Sequence, residues 1–429
     1  MKDMDNSILS EKDKFLSLCE KERESIEKER VENVQIPSWA LFIMKKKLFG
    51  IDKNIFLLGI VSFLTDISSE MIFSVFSIFF TIILGATTVL LGIVEGLADF
   101  ASSSLDYISG YISDKSGKRK PLAILGYGFS TLSKGILLLA NSVIFASLFR
   151  VVERLGKSFR GPPRDAWISS LTTDTNRGFS FGIHKTLDKA GAVLGPFVAY
   201  WILSYFGQNA SSFKLLFQIA LVPAVLAVIL LIFLKDKPEK PKEKENIFKS
   251  YKHTSDEFKH YLNTAGLFSI AYFSFGFLLL KAYIVGFEIK DVVLLYALFN
   301  ISFVIVAAPI GKLGDYIGRK KIIALEYIIY LIMSLGFIFV VTKVQVIVLF
   351  LLFGVFYSID ESQSKAYISD FEKSRRATAI GIYNFATGLV YLPASIIAGF
   401  LWKINPNYAF MFAAMVSIVS LIYFVLRKK

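Results

Sequence analysis

The stretch GYISDKSGKRK occupies residues 110–120, and a related stretch, GKLGDYIGRKK, occupies residues 311–321. The two copies lie about 200 residues apart, and each follows the second long apolar segment of its half of the chain. Two further pairs repeat at about the same offset: RDAWISS at 164–170 with SKAYISD at 364–370, and RGFSFGI at 177–183 with RATAIGI at 376–382. Independent matches at one offset indicate that the chain contains two copies of one structural unit.

Long apolar segments recur around these repeats, from about residue 54 to the end of the chain. As a helix rising ~1.5 Å per residue, each segment is long enough to cross a hydrocarbon layer of ~30 Å. We therefore expect an all-α integral membrane protein with twelve transmembrane helices, built as two six-helix bundles related by pseudo-twofold symmetry. The predicted spans are 54–84, 88–112, 121–141, 143–161, 178–205, 213–235, 262–287, 290–311, 321–342, 344–364, 377–402 and 407–427.

The segments between the apolar blocks predict the domain organisation. The charged, proline-containing stretch KDKPEKPKEKEN at 235–246 is typical of a solvated linker. Too few apolar residues precede residue 54 for that part to form a core of its own. The predicted parts are a charged cytoplasmic extension (1–53), an N-terminal six-helix bundle (54–234), a cytoplasmic linker (235–261) and a C-terminal six-helix bundle (262–429).

The net charge of +13 comes mainly from lysines and arginines in alternate connections between the apolar segments. By the positive-inside rule these connections, the central linker and both termini are cytoplasmic, which requires an even number of spans. No stacking aromatics or groove-sized motif accompanies the basic residues, so we expect no nucleic-acid partner.

Cysteine content and the enzyme motifs narrow the function classes. Cys19 is the only cysteine, which excludes an internal disulfide framework and a thiolate-held metal cluster. The sequence contains no P-loop, HExxH or nucleophile-elbow pattern. We therefore expect no metal, no cofactor and no enzymatic activity. The first apolar segment lacks a small-residue cleavage pattern and is predicted to be a retained span.

Several predicted spans of the N-terminal half carry charged residues near their middle. A central charge costs about 2.5–3.5 kcal/mol on insertion scales, whereas a large apolar residue returns only about 0.3–0.6 kcal/mol. The charges are therefore expected to converge on a water-filled cavity or on one another. A buried structural ion-pair network is the alternative. The candidates for coupling or ion pairing are Asp66, Glu70, Glu95, Asp99, Arg150, Glu153, Arg154 and Asp188.

The C-terminal half is richer in Phe, Ile and Leu, which predicts a cavity charged on one side and apolar or aromatic on the other. Its polar exceptions are the substrate-cavity candidates Lys281, Asn300, Asp360 and Asn384.

The repeated stretch resembles the signature of the major facilitator superfamily, which reads G-x-x-x-D-x-x-G-R-K/R between spans two and three. The resemblance implies a gating loop that holds one access state. Basic turns of this kind also anchor a chain to the cytosol, so both roles stay open. The matching residues are Gly110, Asp114, Gly117, Lys118 and Arg119 in the first copy, and Gly311, Asp315, Gly318, Arg319 and Lys320 in the second.

Two further motifs resemble patterns of the same family. RVVERLGK at 150–157 resembles the R-x-x-Q-G-x-G pattern of span four, with Glu153 in place of the glutamine and Arg154 in place of the first glycine. GAVLGP at 191–196 resembles the G-x-x-x-G-P motif of exporters through Gly191, Gly195 and Pro196. Close helix packing with a proline bend explains the second motif as well.

The resemblance implies a secondary transporter in which two bundles expose a central cavity alternately to each side. DISSEM at 66–71 and HKTLDKAGAVLGP at 184–196 resemble a prokaryotic branch, which implies a multi-pass protein of the plasma membrane. We expect proton-coupled efflux of a polar small molecule. Uptake of an organic anion or nutrient, and a non-transporting sensor or scaffold, are the alternatives. The expected partners are the lipid bilayer, a small-molecule substrate and a coupling ion, H⁺; one chain contains both halves, so a monomer suffices.

Overall fold

The computed structural model describes residues 47–48, 51–139, 142–172, 176–236, 251–373 and 376–426. Cys19, most of the predicted N-terminal extension, most of the predicted linker and the last three residues lie outside the described residues. The chain divides into two compact units, residues 1–53 and 54–429. In the first unit, strands β1 (Lys47–Leu48) and β2 (Ile51–Asp52) pair antiparallel, with Lys47 opposite Asp52.

The second unit is helical, as the apolar segments predict. The helices are α1 (Lys53–Ile78, extended by a π-helical turn at Phe79–Ile83), α2 (Thr88–Ser116), α3 (Lys120–Leu138), α4 (Val143–Ser170), α5 (Arg177–Phe206), α6 (Ala210–Phe233), α7 (Asp256–Ser269), α8 (Phe275–Ile284), α9 (Ile289–Ile317), α10 (Arg319–Phe339), α11 (Lys343–Phe371), α12 (Arg376–Ile404) and α13 (Pro406–Leu426). Helices therefore lie at all twelve predicted spans, with α7 and α8 sharing the seventh.

Length and composition separate these helices into two groups. Within the described residues, nine helices are long and apolar enough to cross a membrane. The others are α4 and α5, which carry several charged residues each, and the short pair α7 and α8. In these four helices, neighbouring helices must shield the charged groups or the break from lipid.

The prediction of one continuous seventh span over 262–287 is wrong, because the helix is broken at residues 270–274. α7 also begins at Asp256, six residues before the predicted span, with Ser255 accepting a hydrogen bond from the amide of Phe258 at 3.1 Å. Ser274 accepts a hydrogen bond from the amide of Gly276 at 3.2 Å and starts α8. The hydroxyl of Tyr330 donates to the carbonyl of Ala271 in the break, at 2.8 Å. A break at membrane depth is tolerated where protein groups satisfy the freed backbone.

Glycines bring several helices into backbone contact. A Cβ added to Gly92 of α2 would lie 2.2 Å from the carbonyl oxygen of Ser395 in α12. A Cβ on Gly156 of α4 would lie 2.7 Å from the carbonyl oxygen of Gly126 in α3. The first contact joins the two predicted bundles and the second is internal to the N-terminal bundle. Large apolar side chains cover the outside of the helices, as expected of a surface that faces lipid; examples are Leu132, Ile144, Trp201 and Phe233.

Candidate functional site

Glu95 and Arg150, both predicted candidates, form a buried ion pair between α2 and α4. The guanidinium donates from Nε to Oε1 at 2.8 Å and from Nη2 to Oε2 at 2.7 Å, and the two residues are only 3% and 6% exposed. The hydroxyl of Ser274 donates to Glu95 Oε2 at 3.0 Å. Such two-point pairs are strong and directional. Glu95 therefore connects a cation of the N-terminal bundle to the helix break of the C-terminal bundle.

Arg154 lies one helical turn from Arg150, and both guanidinium groups contact the ring of Phe73. Their central carbons lie 5.0 and 4.3 Å from the ring centroid, within the range of cation–π attraction. The Nε of Arg154 is buried and has no hydrogen-bond partner among the described residues. Asp99 is attracted electrostatically by Arg154, but the described part of the chain gives it neither a hydrogen bond nor a salt bridge.

Asp66 and Glu70 lie on α1 where α5 approaches it closely. A Cβ on Gly191 would lie 2.4 Å from the carbonyl oxygen of Phe63 and 3.1 Å from the Cβ of Asp66. A Cβ on Gly195 would lie 2.7 Å from the carbonyl oxygen of Ile67. The glycines of the GAVLGP motif thus permit close packing of α1 and α5, and Pro196 lies inside α5 without ending it.

The two carboxylates of α1 have different surroundings. Glu70 accepts a short hydrogen bond from the hydroxyl of Tyr296 on α9, which connects the two bundles. Asp66 is half-buried, and among the described residues it has no hydrogen bond or salt bridge.

Asp188 belongs to a second cluster of ion pairs. Its carboxylate lies 3.7 Å from Arg164 Nη1 and 3.5 Å from Lys185 Nζ. Lys185 also lies 3.6 Å from Glu361 of α11, and Lys189 lies 4.3 Å from the ring centroid of Phe303 in α9. This cluster is a further connection between the bundles, made through α5.

Glu153 of α4 belongs to a cluster of charged residues within the N-terminal bundle. It is fully buried, and its Oε1 lies 3.9 Å from Arg160 Nη2. Lys134 of α3 is also fully buried and donates to the hydroxyls of Ser69 and Ser130, each at 3.2 Å. These contacts are typical of a structural network inside one bundle.

Each signature loop begins at a glycine with positive φ. Gly117 and Gly318 end α2 and α9 with φ of 64° and 95°, where a side chain is strained. In the second copy, Arg319 Nη2 donates to Asp315 at 2.8 Å, and Nη1 donates to the carbonyl of Ala366 at 3.0 Å and to Asp370. This arginine therefore joins the ends of α9, α10 and α11.

The first signature copy is packed differently. Arg119 is buried, and a Cβ on Gly110 would lie 3.5 Å from the side chain of Pro162, whereas Gly311 has open space around it. Asp114 occupies the position that corresponds to Asp315.

The substrate-cavity candidates of the C-terminal half have different partners among the described residues. Lys281 donates to the side chain of Asn407 at 2.8 Å. Asn300 donates to the carbonyl of Tyr296, one turn earlier in α9, at 3.1 Å. Asp360 lines a small cavity among tyrosines, and Asn384 is half-buried in α12.

Sequence reasoning missed several residues of these clusters. Lys134 and Glu326 are charged residues inside predicted spans, so the insertion cost that selected Asp99 also selects them. The sequence does not single out Ser274 or Tyr296, because a single serine or tyrosine is common in an apolar segment. Their importance depends on a partner in the other bundle.

Comparisons with known proteins agree with this architecture. The model of a protein family described as "Major Facilitator Superfamily" matches residues 58–359 and 282–429. An uncharacterized MFS-type transporter of Methanocaldococcus jannaschii is 37% identical over 377 residues, which cover 86% of this chain and 94% of that protein. Multidrug resistance protein 2 of Bacillus subtilis is 25% identical over 338 residues, 76% of this chain and 83% of that protein.

Solved structures give the same result for the fold. A crystal structure of a mutant of the nucleoside transporter NupG matches with a TM-score of 0.73 at 13% identity, covering 87% of this chain and 99% of that one. A D-xylose-proton symporter matches with a TM-score of 0.70 at 14% identity, covering 87% of this chain and 96% of that one.

Proposed function

Because the chain belongs to the major facilitator superfamily, we propose that it exports a polar small molecule across the plasma membrane in exchange for protons, by alternating access of its two bundles. Membership makes it a multi-pass membrane transporter. The proposal goes beyond family membership in three respects: the direction is export, the coupling ion is the proton, and the substrate is polar.

The proposal depends mainly on the contacts of Glu95. This carboxylate holds Arg150 within its own bundle and accepts a hydrogen bond from Ser274 of the other bundle. A proton on Glu95 would remove the charge that strengthens both contacts. Proton binding here would therefore loosen the connection between the N-terminal bundle and the broken seventh span.

Other contacts between the bundles also use ionisable groups. Glu70 binds Tyr296, and Lys185 lies close to Glu361. Contacts of this kind exist only while the two bundles are together at that depth. A change of charge on either side alters the relative free energies of the two access states, as coupling requires.

Asp66 and Asp99 are the carboxylates that we assign to proton binding and release. Each is half-buried and lacks a salt bridge among the described residues, so its charge is not fixed by a paired cation. Arg154 attracts Asp99 and can hold its ionised form. Substrate and proton would then compete for one charged region, which is the basis of exchange.

The direction of transport is supported by two observations. The glycines of GAVLGP match the exporter motif and let α5 pack closely on α1. The relative from Bacillus subtilis, which this chain matches over three quarters of its length, is named a multidrug resistance protein. The many charges of the N-terminal bundle favour a polar or ionised solute over a lipophilic one.

The basic connections support an orientation with both termini in the cytoplasm, by the positive-inside rule. The signature loops with Gly117 and Gly318 are then cytoplasmic. Arg319, bound to Asp315 and Asp370, is placed to hold the cytoplasmic ends of three helices together in one access state.

The test is proton exchange by the purified protein in weakly buffered detergent solution, on addition of siderophores, organic acids, sugars and cationic drugs. A ligand-dependent proton signal is expected in the wild type and is expected to disappear in Asp99→Asn and Arg154→Gln, which remove the two partners separately. Glu257→Gln, an exposed carboxylate at the start of α7, is the matched control and should keep the signal.

Full activity in both Asp99→Asn and Arg154→Gln would refute their role in coupling. Silence of the folded wild-type protein across the panel would instead favour uniport, a sodium-coupled cycle or a sensor. Deletion of residues 1–50 separates the last of these, because a transporter should keep most of its flux without the extension.

A further inference from the structure

Glu326 is a buried carboxyl group in the middle of the C-terminal bundle. It lies on α10 and is only 2% exposed, and its Oε2 has no hydrogen-bond partner among the described residues. Leaving a buried polar atom without a partner is costly, so such an atom calls for an explanation.

The carboxyl group lines a small cavity between α7, α10, α11 and α12, with room for about one water molecule. Asp360 of α11 lines the same cavity, which is too small for an organic substrate. The other polar side chains around it are the hydroxyl groups of Tyr261, Ser269, Tyr272, Tyr327, Tyr383 and Tyr391.

Among the residues that the structure describes, no lysine, arginine or histidine lines this cavity. The basic residue that attracts Asp360 most strongly is Lys365, which is exposed on the same helix, and the neighbouring Glu361 is already close to Lys185. In the N-terminal bundle, by contrast, Glu95 and Glu153 each have a buried arginine nearby. Glu326 is buried and Asp360 is half-buried, and the described residues place no cation at the cavity, so their like charges repel and ionisation of both carboxyl groups is disfavoured.

We propose that Glu326 and Asp360 form a carboxyl pair that binds and releases a proton within the C-terminal bundle, separately from Asp66 and Asp99. The surrounding hydroxyl groups suit this role, because each can donate a hydrogen bond to a carboxylate or accept one from a carboxylic acid. The pair can thus hold or lose its shared proton without a lysine or arginine.

The site adjoins the break in the seventh span. Ser269 ends α7 and Tyr272 lies within the break, and both line the cavity. Ser274, two residues later, donates to Glu95. A movement of the break that changes the contact at Glu95 therefore also changes the shape of the cavity around Glu326.

The first test uses wild-type, full-length protein and the apolar reagent dicyclohexylcarbodiimide, which reacts with protonated carboxyl groups in apolar surroundings. Mass spectrometry of the peptides is expected to find an adduct on Glu326 or Asp360 at neutral pH, declining as the pH rises. Glu257, an exposed carboxylate at the start of α7, is the internal control and is expected to stay unmodified. Absence of an adduct on both acids would overturn the proposal, and so would protection by sodium at constant pH, since a metal cation would then occupy the cavity.

The second test measures the infrared carbonyl band of protonated carboxylic acids in the purified protein. The band at neutral pH is expected to lose intensity in Glu326→Gln. In Asp360→Asn the remaining carboxyl is expected to lose its proton at a lower pH, because the like charge is gone. Glu288→Gln, an exposed carboxyl, should leave the band unchanged. An unchanged band in folded Glu326→Gln and Asp360→Asn would contradict the carboxyl pair, and neither test requires a known substrate.

Discussion

At the scale of single residues, the N-terminal bundle tolerates buried charge where an opposite charge lies within reach. Arg150 is held by both oxygens of Glu95 and lies against the ring of Phe73. Dehydrating two charges costs several kcal/mol per ion in real proteins, and their attraction repays this only with good geometry. Loss of one partner therefore destabilises the fold by more than the intact pair stabilises it.

Arg150→Met is expected to destabilise the protein by about 3–5 kcal/mol, because the buried carboxylate of Glu95 loses both hydrogen bonds from its cationic partner. The double variant Glu95→Gln with Arg150→Met should recover part of this loss. Thermal unfolding in detergent measures both. The control is Lys259→Met, which breaks the exposed pair with Asp256 and should cost only about 0–1 kcal/mol. If Arg150→Met and Lys259→Met lowered the stability equally, the buried ion pair would contribute no more than an exposed one.

At the scale of helices, contact depends on glycine at a few positions. Gly156 is the glycine retained from the span-four family pattern, and a Cβ there would lie 2.7 Å from backbone atoms of Gly126 and Ser130 in α3. Helices inside a membrane associate through close packing, since apolar burial gives no advantage over lipid. Arg154, which replaces the first glycine of that pattern, instead lies against the ring of Phe73.

Two identical substitutions test this packing. Gly156→Ala forces α3 and α4 apart and is expected to lower thermal stability, whereas Gly128→Ala, with no atom within 4 Å of the added Cβ, should be neutral or stabilise the helix by up to about 1 kcal/mol. Unfolding of both variants in the same detergent measures the difference. If Gly156→Ala were as stable as Gly128→Ala, the close approach would not matter for stability.

At the scale of the whole molecule, a contact outside the spans joins the two bundles at the end opposite the signature loops. Gln208, between α5 and α6, donates to Glu288 at 3.1 Å and accepts from the amide of Lys290 at 3.2 Å. Hydrogen bonds from Lys290 and Gln208 hold the pKa of Glu288 below its ordinary value. The carboxylate thus keeps its charge, and this contact, until the pH falls below the usual range for a glutamate.

A reversible cross-link across this contact is expected to stop transport. Cys19→Ser removes the only cysteine, after which Gln208→Cys and Glu288→Cys introduce a pair that a short, reducible bis-thiosulfonate reagent can join. The ligand-dependent proton signal should be lost on cross-linking and return on reduction, because alternating access requires these ends to separate. The single-cysteine variants are the controls. A full signal from the cross-linked protein would mean that the contact persists through the cycle.

The class of the protein follows from its amino-acid sequence alone. Apolar segments long enough to span a membrane are a local property, because the cost of inserting a helix is a sum over its own residues. The duplicated signature likewise needs no structure to be seen, and its resemblance to the family is confirmed by the match to the family model. The same additive reasoning selected Glu95 and Arg150 as residues that must avoid lipid.

The partner of each charged side chain, in contrast, depends on how distant segments pack in the folded protein. Glu95 pairs with Arg150, 55 residues away, and reaches Ser274, 179 residues away. The seventh span is broken because groups from other helices, such as the hydroxyl of Tyr330, satisfy its freed backbone. The cavity around Glu326 is likewise made by four helices. Pair energies in a low-dielectric interior depend on distance and geometry between distant segments, which spacing along one chain does not contain.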